Sequence, residues 1–160
     1  MMTATAALVT LMSVKVADAA SGCYNMAEFE AEQGLRIHSE LMVIGLTCAK
    51  MPNGANLYSK YQSFTNKNKN LITMYENALI TYFRKEGASN PEAQFHTLRT
   101  GLANHISQLA IGNVVGFCNA FSPRLDAALG MDQEKIRRWA QQPWRDAPTS
   151  RPVCTRQAVR

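Results

Sequence analysis

The chain has 160 residues, with 17 Lys and Arg against 12 Asp and Glu, and a formal net charge of +5. This length is that of one domain. The sequence contains no internal repeat, no low-complexity tract and no alternation of apolar and polar residues, which excludes a repeat architecture and a β fold. It also contains no Gly-rich phosphate loop, no H-E-x-x-H and no serine nucleophile motif, so we predict no catalytic residues and a protein that is not an enzyme.

Residues 1–20 are predicted to be a secretory signal peptide. An apolar run over residues 4–14 is followed by Ala17 and Ala19, the small residues that signal peptidase requires, and cleavage is expected after Ala19 or Ala20. The run is too short to cross a bilayer, which takes about 20 residues. We therefore expect export to the periplasm or beyond the cell, which disfavours a nucleic-acid partner.

The first long helix is predicted over residues 26–51. At about 100° per residue, the apolar side chains of residues 35–48 sweep one arc that two neighbouring helices can cover. His38 lies in the middle of this arc. The polar side chains of the helix are expected to face solvent, and they include Glu28, Glu32, Arg36 and Glu40.

Three further helices follow the same helical period, and they cover residues 55–86, 91–120 and 132–142. The first of these passes through the Asn- and Lys-rich stretch 66–70, where a kink or a break is expected because Asn is a poor helix former. The next begins at the cap Asn90 and ends before Pro123. Its second half, residues 111–117, is apolar nearly all round and is therefore expected to be buried.

Short connections make neighbouring helices antiparallel, so we predict an all-α fold: an antiparallel up-down-up-down helical bundle of three long helices and a shorter fourth. The four cysteines are widely spaced, and an even number in an exported chain predicts two disulfides. The bundle order brings Cys48 to Cys118 and Cys23 to Cys154. A Cys23–Cys48 link would join two helix ends about 35 Å apart, and the remaining pairing would cross the bundle twice.

The bundle is predicted to occupy residues 21–142, followed by a basic, proline-containing tail over residues 143–160. Arginines of the C-terminal region are candidates for weak contact with an anionic membrane surface or an acidic partner, and they are Arg137, Arg138, Arg145, Arg151, Arg156 and Arg160. A second interpretation concerns Cys23, because residues 20–23 resemble a bacterial lipobox. The chain would then be a lipoprotein anchored through Cys23, with an odd number of cysteines left over.

His38 and His105 lie on or at the edge of apolar helix faces. Because each precedes one member of a predicted disulfide on neighbouring helices, the two could approach one another. One interpretation is a metal- or haem-binding bundle that uses both histidines. The other, which we favour, is a pair of neutral core histidines hydrogen-bonded to the backbone or to water. No carboxylate shares their faces and no C-x-x-C-H motif is present, so no cofactor is predicted.

Most of the tyrosines lie on the second predicted helix, and they are Tyr58, Tyr61, Tyr75 and Tyr82. A partner surface is one interpretation, since tyrosine combines an apolar ring with a polar end. The other is the ordinary core edge of an amphipathic helix. Our leading hypothesis is an exported, periplasmic, non-enzymatic helical protein that binds a protein partner or the envelope surface, with the oligomeric state left open.

Overall fold

The computed structural model describes residues 22–52, 54–144 and 146–154. That part of the chain contains six α-helices, one short 3₁₀-helix and no strand. The elements are α1 (Met26–Thr47), the 3₁₀-helix (Cys48–Lys50), α2 (Leu57–Lys67), α3 (Lys69–Lys85), α4 (Pro91–Ile111), α5 (Val114–Leu129) and α6 (Gln133–Ala140). The predicted signal peptide, residues 1–20, lies outside the described residues.

α1 lies at the centre of the molecule and packs against each of the other five α-helices. Every residue from Glu28 to Leu41 is buried, including Arg36 and Glu40. The prediction that the polar side chains of this helix face solvent is therefore wrong. Its amphipathic pattern locates the apolar face, but the polar face is covered by distant segments that supply charged and polar partners.

The second predicted helix is divided at Asn68, which confirms the break expected from its Asn- and Lys-rich sequence. α2 ends at Lys67 and α3 begins at Lys69. Asn68 is fully buried, and its Nδ2 donates a hydrogen bond to the Phe64 carbonyl at 2.9 Å. An Asn side chain that bonds a backbone carbonyl in this way competes with the helix and explains the interruption.

The third predicted helix is also divided, but at a different place from the one expected. α4 ends at Ile111, and Asn113 caps α5 by accepting a hydrogen bond from the Gly116 amide at 2.8 Å. α5 then continues through Pro123, so the prediction that this proline ends the helix is wrong. Proline removes only one backbone donor, and burial of Leu125 beyond it keeps the next turn packed against the core.

Both disulfides have the predicted pairing. Cys48 and Cys118, with Cα atoms 5.6 Å apart, join the end of α1 to α5. Cys23 and Cys154, with Cα atoms 5.1 Å apart, join the start of α1 to the C-terminal segment. The all-α bundle stapled by two disulfides is therefore confirmed, with six α-helices in place of the four predicted. Within the described ranges, no helix is both long enough and apolar enough to cross a membrane.

Residues 146–154 return along the start of α1. The Tyr24 amide donates to the Pro152 carbonyl at 2.8 Å, and the Cys154 amide donates to the Tyr24 carbonyl at 2.8 Å. These bonds form a short parallel bridge between Tyr24 and Val153. The proline-containing segment therefore packs on the bundle as far as its disulfide.

Candidate functional site

Glu30 is a buried carboxylate on α1 that is held by groups from distant parts of the chain. It accepts hydrogen bonds from the Tyr75 hydroxyl at 3.1 Å, Arg137 Nε at 2.6 Å and Gln141 Nε2 at 2.7 Å. Burial raises the pKa of Glu30, but the hydrogen bonds from Arg137, Gln141 and Tyr75 outweigh it and hold the pKa below its ordinary value. An ionised carboxylate with this set of donors has a structural role.

Glu32 ties the C-terminal segment to α1. It is fully buried and accepts hydrogen bonds from the Ser150 amide at 2.8 Å, the Ser150 hydroxyl at 2.5 Å and Arg36 Nη2 at 3.3 Å. Arg36 also donates to the Pro148 carbonyl at 3.0 Å. We call Glu30, Glu32 and Arg36, together with these partners, the polar seam. The solvated face predicted for Glu32 is absent because Ser150 and Arg36 take the place of water around it.

His38 is buried on α1 beside α2. Its Nε2 is hydrogen-bonded to Thr65 Oγ1 at 3.1 Å and to the Tyr61 hydroxyl at 3.3 Å. Burial, with a contribution from Arg99, lowers the pKa of His38 to about 4. The imidazole is therefore neutral at physiological pH and lies in the core, as the favoured interpretation has it, but its partners are two side-chain hydroxyl groups rather than the backbone or water.

His105 lies on a different surface. It is exposed on α4 and borders a cleft that His38 does not line, so the expectation that it belongs to an inward face is wrong. The two histidines therefore do not form one ligand set. Within the described ranges, no group of three or more His, Cys, Asp or Glu side chains is placed to hold a metal ion.

The four tyrosines of α2 and α3 do not form one surface. Tyr75 and Tyr82 are each only 3% exposed, because α3 turns them into the core around α1. Tyr61 is half-buried, which leaves Tyr58 as the exposed member of the set. Tyr75 and Tyr82 therefore do not belong to the predicted partner surface, of which Tyr58 and part of Tyr61 remain exposed.

The C-terminal arginines are not a uniform basic surface either. Arg137 pairs with the buried Glu30, Arg138 pairs with the exposed Glu134, and Arg151 is exposed. The remaining three lie outside the described residues, and they are Arg145, Arg156 and Arg160. Two of the charges expected to attract a membrane or an acidic partner are therefore matched within the chain.

A cleft of ≈ 510 Å³ lies between α1, α4, α5, α6 and the residues Trp144, Asp146 and Ala147. Four aromatic rings line it in two pairs. The ring centroids of Phe117 and Phe121 are 4.8 Å apart, and those of Trp139 and Trp144 are 6.0 Å apart. We call this site the aromatic cleft. It holds both tryptophans of the chain.

An ion pair borders the aromatic cleft. Glu40, which is 4% exposed, accepts a hydrogen bond from Arg124, whose guanidinium carbon lies 4.7 Å from the centre of the Phe121 ring. Burial raises the pKa of Glu40, and the charges of Arg124 and Arg36 oppose this increase. Glu40 and Arg124 are thus matched to one another at the cleft.

Large aliphatic side chains are exposed where α4 ends and α5 begins. The exposed fractions are 55% for Leu109, 78% for Ile111, 38% for Val114 and 56% for Val115. We call these four residues the apolar corner. The segment 100–123 that contains them has no Asp, Glu, Lys or Arg. The prediction that residues 111–117 are buried is wrong for Ile111, Val114 and Val115, because α4 ends and α5 begins there and no described element packs over them, whereas Phe117 is buried as predicted.

The apolar corner adjoins two recesses. Leu109 also lines the aromatic cleft, and Val115 lines a second recess of ≈ 490 Å³ beside Met51 and Leu57. Sequence reasoning missed both recesses because their walls come from helices that are far apart in the chain. The closely spaced tryptophans near the C-terminus were the signal available for the first.

Comparison with known proteins finds no family model, no curated protein and no solved structure that matches the chain. The two disulfides indicate an oxidising, exported environment. The aromatic cleft and the apolar corner are the features that bear on function, while the polar seam bears on stability.

Proposed function

We propose that this is an exported, non-enzymatic helical protein of the cell envelope that binds a protein partner through its apolar corner. The observation that carries the proposal is the exposure of Leu109, Ile111, Val114 and Val115 together. Single exposed apolar side chains are ordinary on protein surfaces, whereas four large ones within residues 109–115 favour an interaction site. Full burial of an exposed aliphatic side chain contributes about 1.5–3 kcal/mol, and covering the exposed part of each of these would contribute a fraction of that.

The absence of charged residues from segment 100–123 favours a protein partner over the membrane surface. Peripheral helices that bind anionic membranes combine apolar residues with Lys and Arg on the flanking face. Residues 100–123 contain no Lys and no Arg. Cores of protein interfaces are likewise depleted of charged residues, which agrees with this segment.

A pair of charge-introducing variants tests the proposal. A photo-crosslinking residue placed at Ile111 in the exporting cell should form a defined adduct, and one placed at the exposed Asn104 should not. The affinity for the purified adduct partner should then fall at least about tenfold, or about 1.4 kcal/mol, in Ile111→Glu/Val115→Glu. The matched control is Asn104→Glu/Ala127→Glu, which adds the same charges at exposed positions of the same helices.

The control should change the affinity less than about twofold. Equal crosslinking from Ile111 and Asn104, or unchanged affinity in Ile111→Glu/Val115→Glu, would contradict the proposal. Thermal unfolding of both variants must accompany the measurement, since only folded proteins are comparable.

Export and the state of Cys23 are tested by the intact mass of the mature protein. We propose a mature N-terminus at Ala20 or Ser21, with both disulfides formed. The sulfur of Cys23 is bonded to Cys154, and lipidation would require that same sulfur. A diacylglyceryl mass on Cys23 would replace this proposal with the lipoprotein alternative.

A further inference from the structure

We infer that the aromatic cleft is an anchor pocket for a neutral aromatic side chain presented by the partner polypeptide. The inference rests on the proposed function, because it extends the interface from the apolar corner into the adjoining cleft. Leu109 joins the two features, since it is exposed at the corner and also lines the cleft.

The size and the walls of the cleft fit an aromatic side chain. Its volume of ≈ 510 Å³ lies within the range of about 300–1,000 Å³ that is usual for binding pockets. Phe117 and Phe121 offer rings on α5, while Trp139 and Trp144 offer rings on α6 and the segment that follows it. An inserted ring would find partners for offset or edge-to-face contacts and bury about 150–250 Å² of its own surface.

The charges of the cleft favour a neutral occupant. Arg36 is bonded to Glu32, and Arg124 is bonded to Glu40, so each buried carboxylate at or behind the cleft already has its own cation. A charged side chain that enters the buried part of the cleft would lose its water, and the buried carboxylates and cations there already compensate one another. A neutral ring does not carry this cost.

Two other ionisable groups line the cleft, and both are open to water. His105 and Asp146 are exposed, so solvent screens their charges and they provide little selectivity for an ion. Arg124 can contribute differently. Its side chain is 44% exposed, and a guanidinium has five N–H donors, so it can donate to a carbonyl of the partner backbone at the mouth.

The two tryptophans make the cleft directly observable. Trp139 and Trp144 are the only tryptophans of the chain, so intrinsic tryptophan fluorescence reports on this site. The experiment titrates the full mature protein with capped Gly-Xaa-Gly peptides in which Xaa is Phe, Leu, Lys or Glu. The Phe peptide should bind most tightly, the Leu peptide next, and the Lys and Glu peptides at least about tenfold more weakly than Phe.

Two variants separate binding in the cleft from binding elsewhere. Ala147→Phe should fill the cleft, because Ala147 lines it, and should lower the affinity for the Phe peptide at least about tenfold. Ala93→Phe adds the same ring at an exposed position of α4 and should leave that affinity unchanged. If Ala147→Phe does not fold, Phe121→Leu provides the test, since it should lower the affinity for the Phe peptide more than the affinity for the Leu peptide.

Three results would overturn the inference: no fluorescence change with any peptide, equal affinity for all four peptides, or tightest binding of the Lys or Glu peptide. These results leave the proposed function standing, because the corner variants test it independently. The opposite outcome is also distinguishable. If the Phe peptide binds selectively but Ile111→Glu/Val115→Glu keeps its affinity for the partner, the cleft is a pocket for aromatic side chains and the apolar corner is not the partner surface.

Discussion

The polar seam and the apolar corner reverse the usual placement of residues in opposite ways. In the seam, charged side chains of α1 are buried: Glu30 is 4% exposed and Arg36 is 6% exposed. In the corner, aliphatic side chains are open to solvent, and Ile111 is 78% exposed. In the seam the cost of burying charge is offset within the chain, because each buried carboxylate accepts hydrogen bonds from donors of the same chain. The corner has no counterpart among the described residues.

This difference separates stability from binding. Buried charges are tolerated only when partners and hydrogen bonds replace water, so the seam should be sensitive to the loss of any member. Exposed aliphatic groups add little to the free energy of folding, because they stay in water after the chain has folded. The two regions should therefore respond to substitution with effects of very different size.

The largest effect is expected in the seam. Glu32→Ala should destabilise the protein by about 3–5 kcal/mol, because it leaves Arg36 buried without its carboxylate and Ser150 without its acceptor. Glu134→Ala breaks an ion pair of the same kind on the exposed face of α6 and should cost less than about 1 kcal/mol. Urea unfolding of both variants provides the comparison, and similar losses would mean that the seam is not energetically distinct.

A second expected effect is a pH dependence that originates at His38. Its pKa is lowered from 6.5 to about 4 in the folded state, so below pH 6.5 the unfolded chain takes up a proton that the folded protein does not. Stability should therefore fall by about 3 kcal/mol as the pH drops from 6.5 to 4.

The test compares urea unfolding of the wild type with that of His38→Gln across this pH window. The variant keeps an amide that can bond Thr65 and Tyr61, but it does not titrate. The difference in unfolding free energy between the two proteins should change with pH. If the difference in unfolding free energy stays constant from pH 6.5 to 4, the pKa of His38 is the same in the folded and unfolded states, and the side chain is solvated rather than buried.

A third effect depends on the close packing of α1 against α3. A Cβ atom at Gly34 would collide with the ring of Tyr75, which is held in place by its hydrogen bond to Glu30. Gly34→Ala should therefore cost about 2 kcal/mol, despite the better helix propensity of alanine. Gly101→Ala, where a Cβ meets nothing within 4 Å, should instead stabilise by about 0.5–1 kcal/mol. Thermal unfolding that gave both variants the same sign would contradict this packing.

The smallest effect is expected at the corner. Ile111→Ser should change the free energy of unfolding by no more than about 0.5 kcal/mol, because the side chain is already in solvent. Urea unfolding measures the change. A loss above about 1 kcal/mol would show that the corner is packed against part of the folded chain, and the comparison with the seam would no longer hold.

Much of the fold was predictable because it depends on local patterns and chain connectivity. The helical period locates α1, and the Asn-rich stretch indicates the break at Asn68. The pairing of Cys48 with Cys118 followed from helix lengths and the direction of neighbouring helices. The division at residues 112–113 was missed, because apolar residues on both sides of a break read as one continuous helix.

The sequence by itself determined the all-helical class and the two disulfides, since helical periodicity and cysteine number need no knowledge of distant neighbours. Only the tertiary structure decided which polar residues are buried and which apolar residues are exposed. Glu32 is buried because Ser150 arrives from 118 positions away in the chain, and Ile111 is exposed because no described element packs over the end of α4. The burial of a side chain depends on what is brought against it, and a pattern of polar and apolar residues specifies the face but not its neighbour.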